Sequence, residues 1–266
     1  MINEDATELA IGSKAWVNYY IKNAEQISRY ADCPLTEYQI IMIDVMSERI
    51  DALLAMQERV AIWSAGCGID RISLELKKKY LDRIEVTMQD ISAECMAVNK
   101  CMFDAAGMEA RMLPEDLFGC QTAPEYDLVM NTGLLEHFTP SEQMRLSEVF
   151  RGSLRPGGLY ITLTPYARGL IYNHCRKILM RNGQWDCGPE DPIYTLKHWQ
   201  NVGWRIVSER PIDGLGQLNF IRPAYPRVWN ILSPFIYVVR KQSRISEPLI
   251  RKMLGGYCIL DILEKQ

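Results

Sequence analysis

The eight cysteines include no Cys-x-x-Cys pair, and no apolar run approaches the roughly 18 residues that a membrane span requires. The first absence argues against a zinc cluster or a disulfide framework. The N-terminus also lacks the charged start and apolar middle of a secretory leader, so a soluble, cytoplasmic protein with reduced thiols is expected. Histidine is scarce: only His137, His174 and His198 occur, without ligand spacing, and no metal is expected. Internal repeats and low-complexity stretches are missing too. Positive charge is in short supply, and a formal net charge of -3 speaks against a general nucleic-acid binder. The exception is the stretch from Arg222 onward, where eight Lys/Arg meet three acids.

What is present is a rhythm. A length of 266 residues suits one sizeable α/β domain. Residues 1–58 read as a helical cap: Trp16, Val17, Tyr20, Ile21, Ala24 and Ile27 recur at helical spacing, and Ile41, Val45, Leu53 and Leu54 form a second stripe. Thr36 and Gln39 make a capping box for that second helix. From Val60 on, strands and helices alternate. "VAIWSA", "IEVTMQ", "YDLVMN" and "LYITLTP" read as strands, with "RISLELKKKY", "AECMAVNKCMFDAAG" and "MRLSEVFRGSL" as the helices between them. Thr139-Pro140-Ser141-Glu142 adds a second capping box with proline at the first helical position. Such alternation predicts right-handed crossovers and a doubly wound, mostly parallel sheet. "WRIVSER" and "YCILDIL" supply two further strands, the last expected to be antiparallel at or near an edge.

The first strand ends in "SAGCGIDRISLEL". Gly66 and Gly68 sit where the backbone must turn sharply and admit a ligand, although a glycine pair alone fits a plain turn, a dinucleotide site or an adenosine site. Asp90 closes the second strand, where a carboxylate can accept hydrogen bonds from two ribose hydroxyls. Asp116-Leu117-Phe118 offers a third signal, a carboxylate for an adenine amino group with apolar side chains to flank the ring. A dinucleotide site needs a third glycine where this chain has Arg71, and Asp70 at the helix start opposes a pyrophosphate. A sulfonium ligand without phosphate tolerates both.

With "SAGCGIDRISLEL", "VTMQDIS", "YDLVMNTGLLEHF" and "SLRPGGLYITLTP" in order, residues 59–165 resemble the core of class I S-adenosylmethionine-dependent methyltransferases of the small-molecule type. The resemblance implies a Rossmann-like, seven-stranded sheet ending in an antiparallel hairpin. It also implies S-adenosylmethionine, or S-adenosylhomocysteine as product, bound by Ala65, Gly66, Cys67, Gly68, Asp90, Ile91, Glu115, Asp116, Leu117, Asn131, Thr132 and Gly133. Many relatives carry an acid in place of Ser64 and a glycine in place of Asp70.

Methyl transfer from a sulfonium needs alignment of acceptor and methyl carbon above all, and a base only for a protonated nucleophile. His137 in "GLLEHF" is the best-placed base and His174 a weaker candidate; packing or capping is the competing reading of both. Residues 166–202 interrupt the α/β rhythm and supply Tyr166, Tyr172 and Trp185 for an acceptor pocket, with Tyr19 and Tyr20 of the cap. Residues 203–266 combine the last strands with a basic, apolar stretch, and 222–252 are a candidate contact with anionic lipid or a lipid-linked acceptor. The expected activity is methyl transfer to an oxygen, nitrogen or carbon of a small molecule. The alternatives are a non-catalytic domain that binds adenosylmethionine or adenosylhomocysteine as a regulator and, more remotely, an NAD(P)-dependent oxidoreductase. The oligomeric state does not follow from these residues.

Overall fold

Thr36 donates its backbone N–H to Gln39 Oε1 at 2.9 Å, which closes the expected capping box and opens helix α1 (Glu37–Leu54). The computed structural model describes residues 33–119, 123–185, 187, 188 and 190–266. The earlier helix of the cap, with Tyr19 and Tyr20, lies outside the described residues. Beyond α1 the alternation runs β1 (Val60–Ala65), α2 (Arg71–Tyr80), β2 (Ile84–Gln89), α3 (Ala93–Ala105), a short β3 (Arg111–Leu113), β4 (Tyr126–Thr132), α4 (Pro140–Ser153) and β5 (Leu154–Pro165). Helix α5 (Leu170–Arg181) lies in the segment after β5. Strand β6 (Trp204–Ile212) is followed by α6 (Pro226–Lys241), α7 (Ser243–Leu254) and β7 (Cys258–Lys265).

The strand order is β3-β2-β1-β4-β5-β7-β6. Pairings from β3 through β5 are parallel, while β7 runs antiparallel between β5 and β6. The final strand is therefore one position in from the edge. From β1 the chain winds outward to β2 and β3, then returns to place β4 on the other side of β1. That reversal opens a crevice beyond the carboxyl ends of β1 and β4, the place where doubly wound sheets bind ligands.

Strands covered on both faces must be apolar on both, which is why β1 is apolar apart from Ser64. On one face Met42, Met46 and Ile50 of α1 meet Ile72 and Leu76 of α2 and Phe103 of α3. On the other, rings stack in series: Phe150 on Tyr160 at 4.8 Å between centroids, and Tyr160 on Trp199 at 5.6 Å. Among the described residues no helix is long and apolar enough to cross a membrane.

Asp261 is the exception inside this core. It sits on β7 opposite Thr162 of β5 and Glu209 of β6, fully buried, with neither carboxylate oxygen hydrogen-bonded among the described residues. Burial, then the charge of Glu209, pushes its carboxyl up to about 8, against the opposing pull of Lys197. Between about pH 4 and that value the folded protein keeps a proton that the unfolded chain has released, so stability falls as pH rises through this window and levels off above it. Asp261→Asn should flatten that slope and leave the protein more stable than wild type above pH 8 in urea denaturation at several pH values. An unchanged slope would remove Asp261 as its source.

Candidate functional site

Strand β1 ends at buried Ala65, and Gly66 and Gly68 follow with φ of 56° and 52°, left-handed conformations that glycine adopts without strain. A Cβ on Gly66 would lie 2.4 Å from Leu134 Cδ1, because the loop after β4 leans over the glycine turn. The turn is tied on three sides. Cys67 N–H donates to the Gln89 carbonyl at 2.9 Å, Gly68 N–H donates to Asp90 Oδ2 at 2.9 Å, and the Gly68 carbonyl accepts from Asn99 Nδ2 at 2.6 Å. Asn99 also accepts the N–H of Asp70 at 3.0 Å. Its only trace in the sequence is a lone amide on the buried stripe Cys95, Met96, Asn99, Met102 and Phe103 of α3.

The two departures from the family pattern prove to be partners. Ser64 Oγ donates to Asp70 Oδ2 at 2.6 Å, and the same carboxylate caps α2 by accepting from the Ser73 N–H at 2.9 Å and from the Ser73 hydroxyl. Burial raises the Asp70 carboxyl, and these donors pull it back down. The start of α2 is thus filled by the chain's own carboxylate, where a pyrophosphate would need open N–H groups. The open glycine turn and the Asp90 carboxylate fit an adenosine carrying a sulfonium and an amino-acid tail; the capped helix does not fit a dinucleotide.

The remaining cofactor candidates divide. Asp90 takes Ser92 N–H on Oδ1 at 3.0 Å, and its neighbour Ile91 is 46% exposed. Glu115 and Asp116 are exposed after β3, with Asp116 Oδ1 accepting the Phe118 N–H at 3.1 Å. Leu117 was expected to flank a bound ring. It lies buried in a single turn of 3-10 helix at Leu117–Gly119, and Phe118 is half-buried against Phe138. The side chain of Asn131 faces β5, donating to Tyr160 OH at 2.7 Å and accepting from Thr162 Oγ1 at 2.6 Å. Thr132 ends β4 half-buried, and Gly133 follows at φ 67° with its N–H on the Leu163 carbonyl.

Beyond Gly133 a short turn, Leu135–His137, brings Glu136 inward. Its carboxyl is almost fully buried, Oε1 lies 3.8 Å from His137 Nε2, and Oε2 has no hydrogen-bond partner among the described residues. Burial, then the charge of Glu190, holds the Glu136 carboxyl well above the ordinary carboxylate range. The Glu136 carbonyl accepts Asp191 N–H at 2.7 Å, which fastens the segment after β5 against this turn. Burial also pushes Glu190 up to about 7, and its Oε1 is unpartnered. Beside the two acids stands a knot of rings. Tyr172 lies 5.0 Å from Tyr257, 4.9 Å from Phe220 and 6.3 Å from Trp185 between centroids, and both Tyr172 OH and Trp185 Nε1 are buried without hydrogen-bond partners among the described residues. Tyr166, half-buried at the end of β5, pairs with Ile193 and gives its N–H to the Tyr257 carbonyl. His174 does not join this group: it is exposed and stacks on Tyr225, with Nε2 2.7 Å from the phenol oxygen. Glu190, Phe220 and Tyr257 were not read as site residues, since only folding brings Glu190 and Tyr257 near Glu136 and Phe220 onto Tyr172. Among the described residues no three His, Cys, Asp or Glu side chains converge as a metal site.

Removing Asp90 should weaken S-adenosylhomocysteine binding by about 1–3 kcal/mol, because direct hydrogen bonds and the tie to Gly68 vanish together. Asn99→Ala, which only loosens the loop, should cost less. Calorimetry checks the order of the two, and an unchanged affinity in Asp90→Ala would place the ribose elsewhere.

Comparison with known proteins agrees with this geometry. The family described as a methyltransferase domain matches residues 62–158. A search of curated protein sequences returns no match. Among solved structures, magnesium protoporphyrin IX methyltransferase from Synechocystis PCC 6803, with bound S-adenosylmethionine, aligns at a TM-score of 0.55 and 10% identity over 96% of this chain and 97% of that one. A cyclopropane synthase from Mycobacterium tuberculosis aligns at 0.55 and 17% identity over 82% of this chain and 83% of that one. Coclaurine N-methyltransferase, bound to N-methylheliamine and S-adenosylhomocysteine, aligns at 0.57 and 13% identity over 88% and 74%. At these identities the structural likeness speaks for the fold, while the domain match spans the glycine turn, Asp90 and β4. Residues 62–158 thus match a methyltransferase domain, and the sheet has the fold of these S-adenosylmethionine-dependent enzymes.

Proposed function

We propose that the protein methylates a basic nitrogen of a small molecule held between the glycine turn and the segment after β5. The observation that carries this reading is the buried Glu136 carboxyl after β4, whose Oε2 has no hydrogen-bond partner among the described residues, next to Glu190, whose Oε1 has none either, and the rings of Tyr172, Trp185, Phe220 and Tyr257. Folded proteins seldom leave buried polar atoms unsatisfied, since each costs about 1–3 kcal/mol, so several in one place favour a ligand that completes them. Two acids beside aromatic faces suit a cation, attracted by charge and by the ring quadrupoles. Tyr172 OH and Trp185 Nε1 add donors for an oxygen elsewhere on the acceptor.

Bound S-adenosylmethionine supplies a methyl carbon activated by a neutral leaving group. The chain's own residues do the rest. Glu136 and Glu190 draw the amine in as an ammonium, and a carboxylate of the pair takes one proton from it, which frees the nitrogen lone pair for attack. The same acids hold the positive charge that the nitrogen carries after it is methylated. Lying 3.8 Å from Glu136, His137 is placed to pass that proton outward and acts as a positioning and relay group rather than the first base. The rings exclude water and fix the acceptor's orientation.

The groups facing Glu190 are Glu136, Arg176, whose Nη1 donates to the Glu190 carbonyl, and the Tyr257 and Cys258 side chains. With Glu190 at about 7, amine capture should strengthen as pH rises from about 6 to 8, as the acid pair gives up its proton. Methyl transfer from labelled S-adenosylmethionine to a set of arylalkylamines and the matching alcohols should show activity on the amines alone. Glu136→Gln should lower kcat/KM at least about 100-fold and leave S-adenosylhomocysteine affinity unchanged. Equal turnover of alcohols, or full activity in Glu136→Gln, would contradict an amine acceptor.

A further inference from the structure

Strands β6 and β7 are adjacent antiparallel partners, so a tight turn would suffice to join them. Instead residues 213–257 build a helical projection. It has its own small core of Leu215, Leu218 and Ile236, with Trp229, Val239 and Ile250 packed around it. Glu247 fastens it to the sheet edge by accepting the N–H groups of Gly214 and Leu215, each at 2.8 Å. The Trp229–Ile236–Val239 side of α6 therefore faces inward.

A second apolar side is left outside. Val228, Ile231, Phe235 and Val238 follow one another at helical spacing on α6, with Ile231 78% and Phe235 69% exposed. On α7, Ile245, Leu249 and Met253 make a similar stripe, with Ile245 at 74%. Exposed apolar residues are ordinary when scattered, whereas two stripes on successive helices mark a surface meant to be covered. Residues 221–254 also hold Arg222, Arg227, Lys241, Arg244, Arg251 and Lys252 besides Arg240, against the single acid Glu247, which is turned inward. The chain as a whole is at -3, so this is a basic projection on an acidic molecule.

Apolar stripes flanked by basic side chains, with aromatic Phe235 and Tyr237 among them, match the chemistry of an anionic lipid surface. A second copy of this face would bring like charges together and is disfavoured. We propose that α6 and α7 form an interfacial anchor that lies on an anionic phospholipid bilayer, with the stripes among the acyl chains and the Lys/Arg side chains at the head groups. This inference is independent of the acceptor assigned above. Membrane contact would bring the crevice close to lipid-associated substrates.

The test is co-sedimentation of the full chain with phosphatidylcholine vesicles, with and without about one quarter phosphatidylglycerol, at low and high salt. The expected result is binding to the mixed vesicles at low salt, with a roughly tenfold or greater drop on pure phosphatidylcholine or at high salt. Ile231→Ser combined with Phe235→Ser, and separately Arg244→Glu with Lys252→Glu, should each reduce binding about tenfold or more. Unchanged thermal midpoints and S-adenosylhomocysteine affinity in both variants would show that the fold and cofactor site are intact. No binding to the mixed vesicles at low salt overturns the proposal. So does full binding by either variant, or a wild-type dimer that the serine variant turns into a monomer, which would give the face to a second copy.

Discussion

Gly68 is gripped from both ends of its peptide: the Asp90 carboxylate at the end of β2 takes its N–H, and Asn99 in α3 donates to its carbonyl. Those two contacts join the turn after β1 to the end of β2 and to helix α3 at the crevice. They hold the glycine turn open, point Asp90 across the strand ends and set the start of α2, where Asp70 is itself anchored to Asn99 and Ser64. A left-handed turn is flexible if left alone, so its shape here comes from the partners it meets. The rest of the crevice takes its position from this frame, since Leu134 of the β4 loop rests over Gly66 and Glu136 follows two residues on.

Charge divides the molecule into regions with different tasks. Around the glycine turn every buried polar group described is paired, which gives a rigid place for a cofactor without phosphate. Around Glu136 and Glu190 several are not, which gives a place that a ligand completes. Asp261 repeats the burial of an acid within the sheet, and its protonation bears on stability. The basic helices between β6 and β7 carry the opposite sign, away from the acids.

Much of the fold was legible because its signals are local. The apolar runs of β1, β2, β4 and β5, the capping boxes at Thr36 and Thr139, and the glycine turn with Asp90 are readable within short windows, and the described structure keeps them. Non-local partners were not readable. Asn99 looks like one polar residue in a helix, and Glu190 looks like a loop acid until the Asp191 N–H docks on the Glu136 carbonyl. Asp261 is one acid in the run of the last strand until β5 and β6 pair on either side of it. Pro234 and Pro248 obscure the helical pattern of α6 and α7, since interior prolines usually end a helix, and both helices continue through them.

The central claim is that the glycine turn, Asp90 and the Asp70-capped helix select an adenosine bearing a sulfonium rather than a dinucleotide. Calorimetric titration of the full chain with S-adenosylhomocysteine and with NAD, under identical conditions, tests this most directly. Saturable binding of S-adenosylhomocysteine to one site, with no heat from NAD, is the predicted result. Binding of NAD without binding of S-adenosylhomocysteine would contradict it.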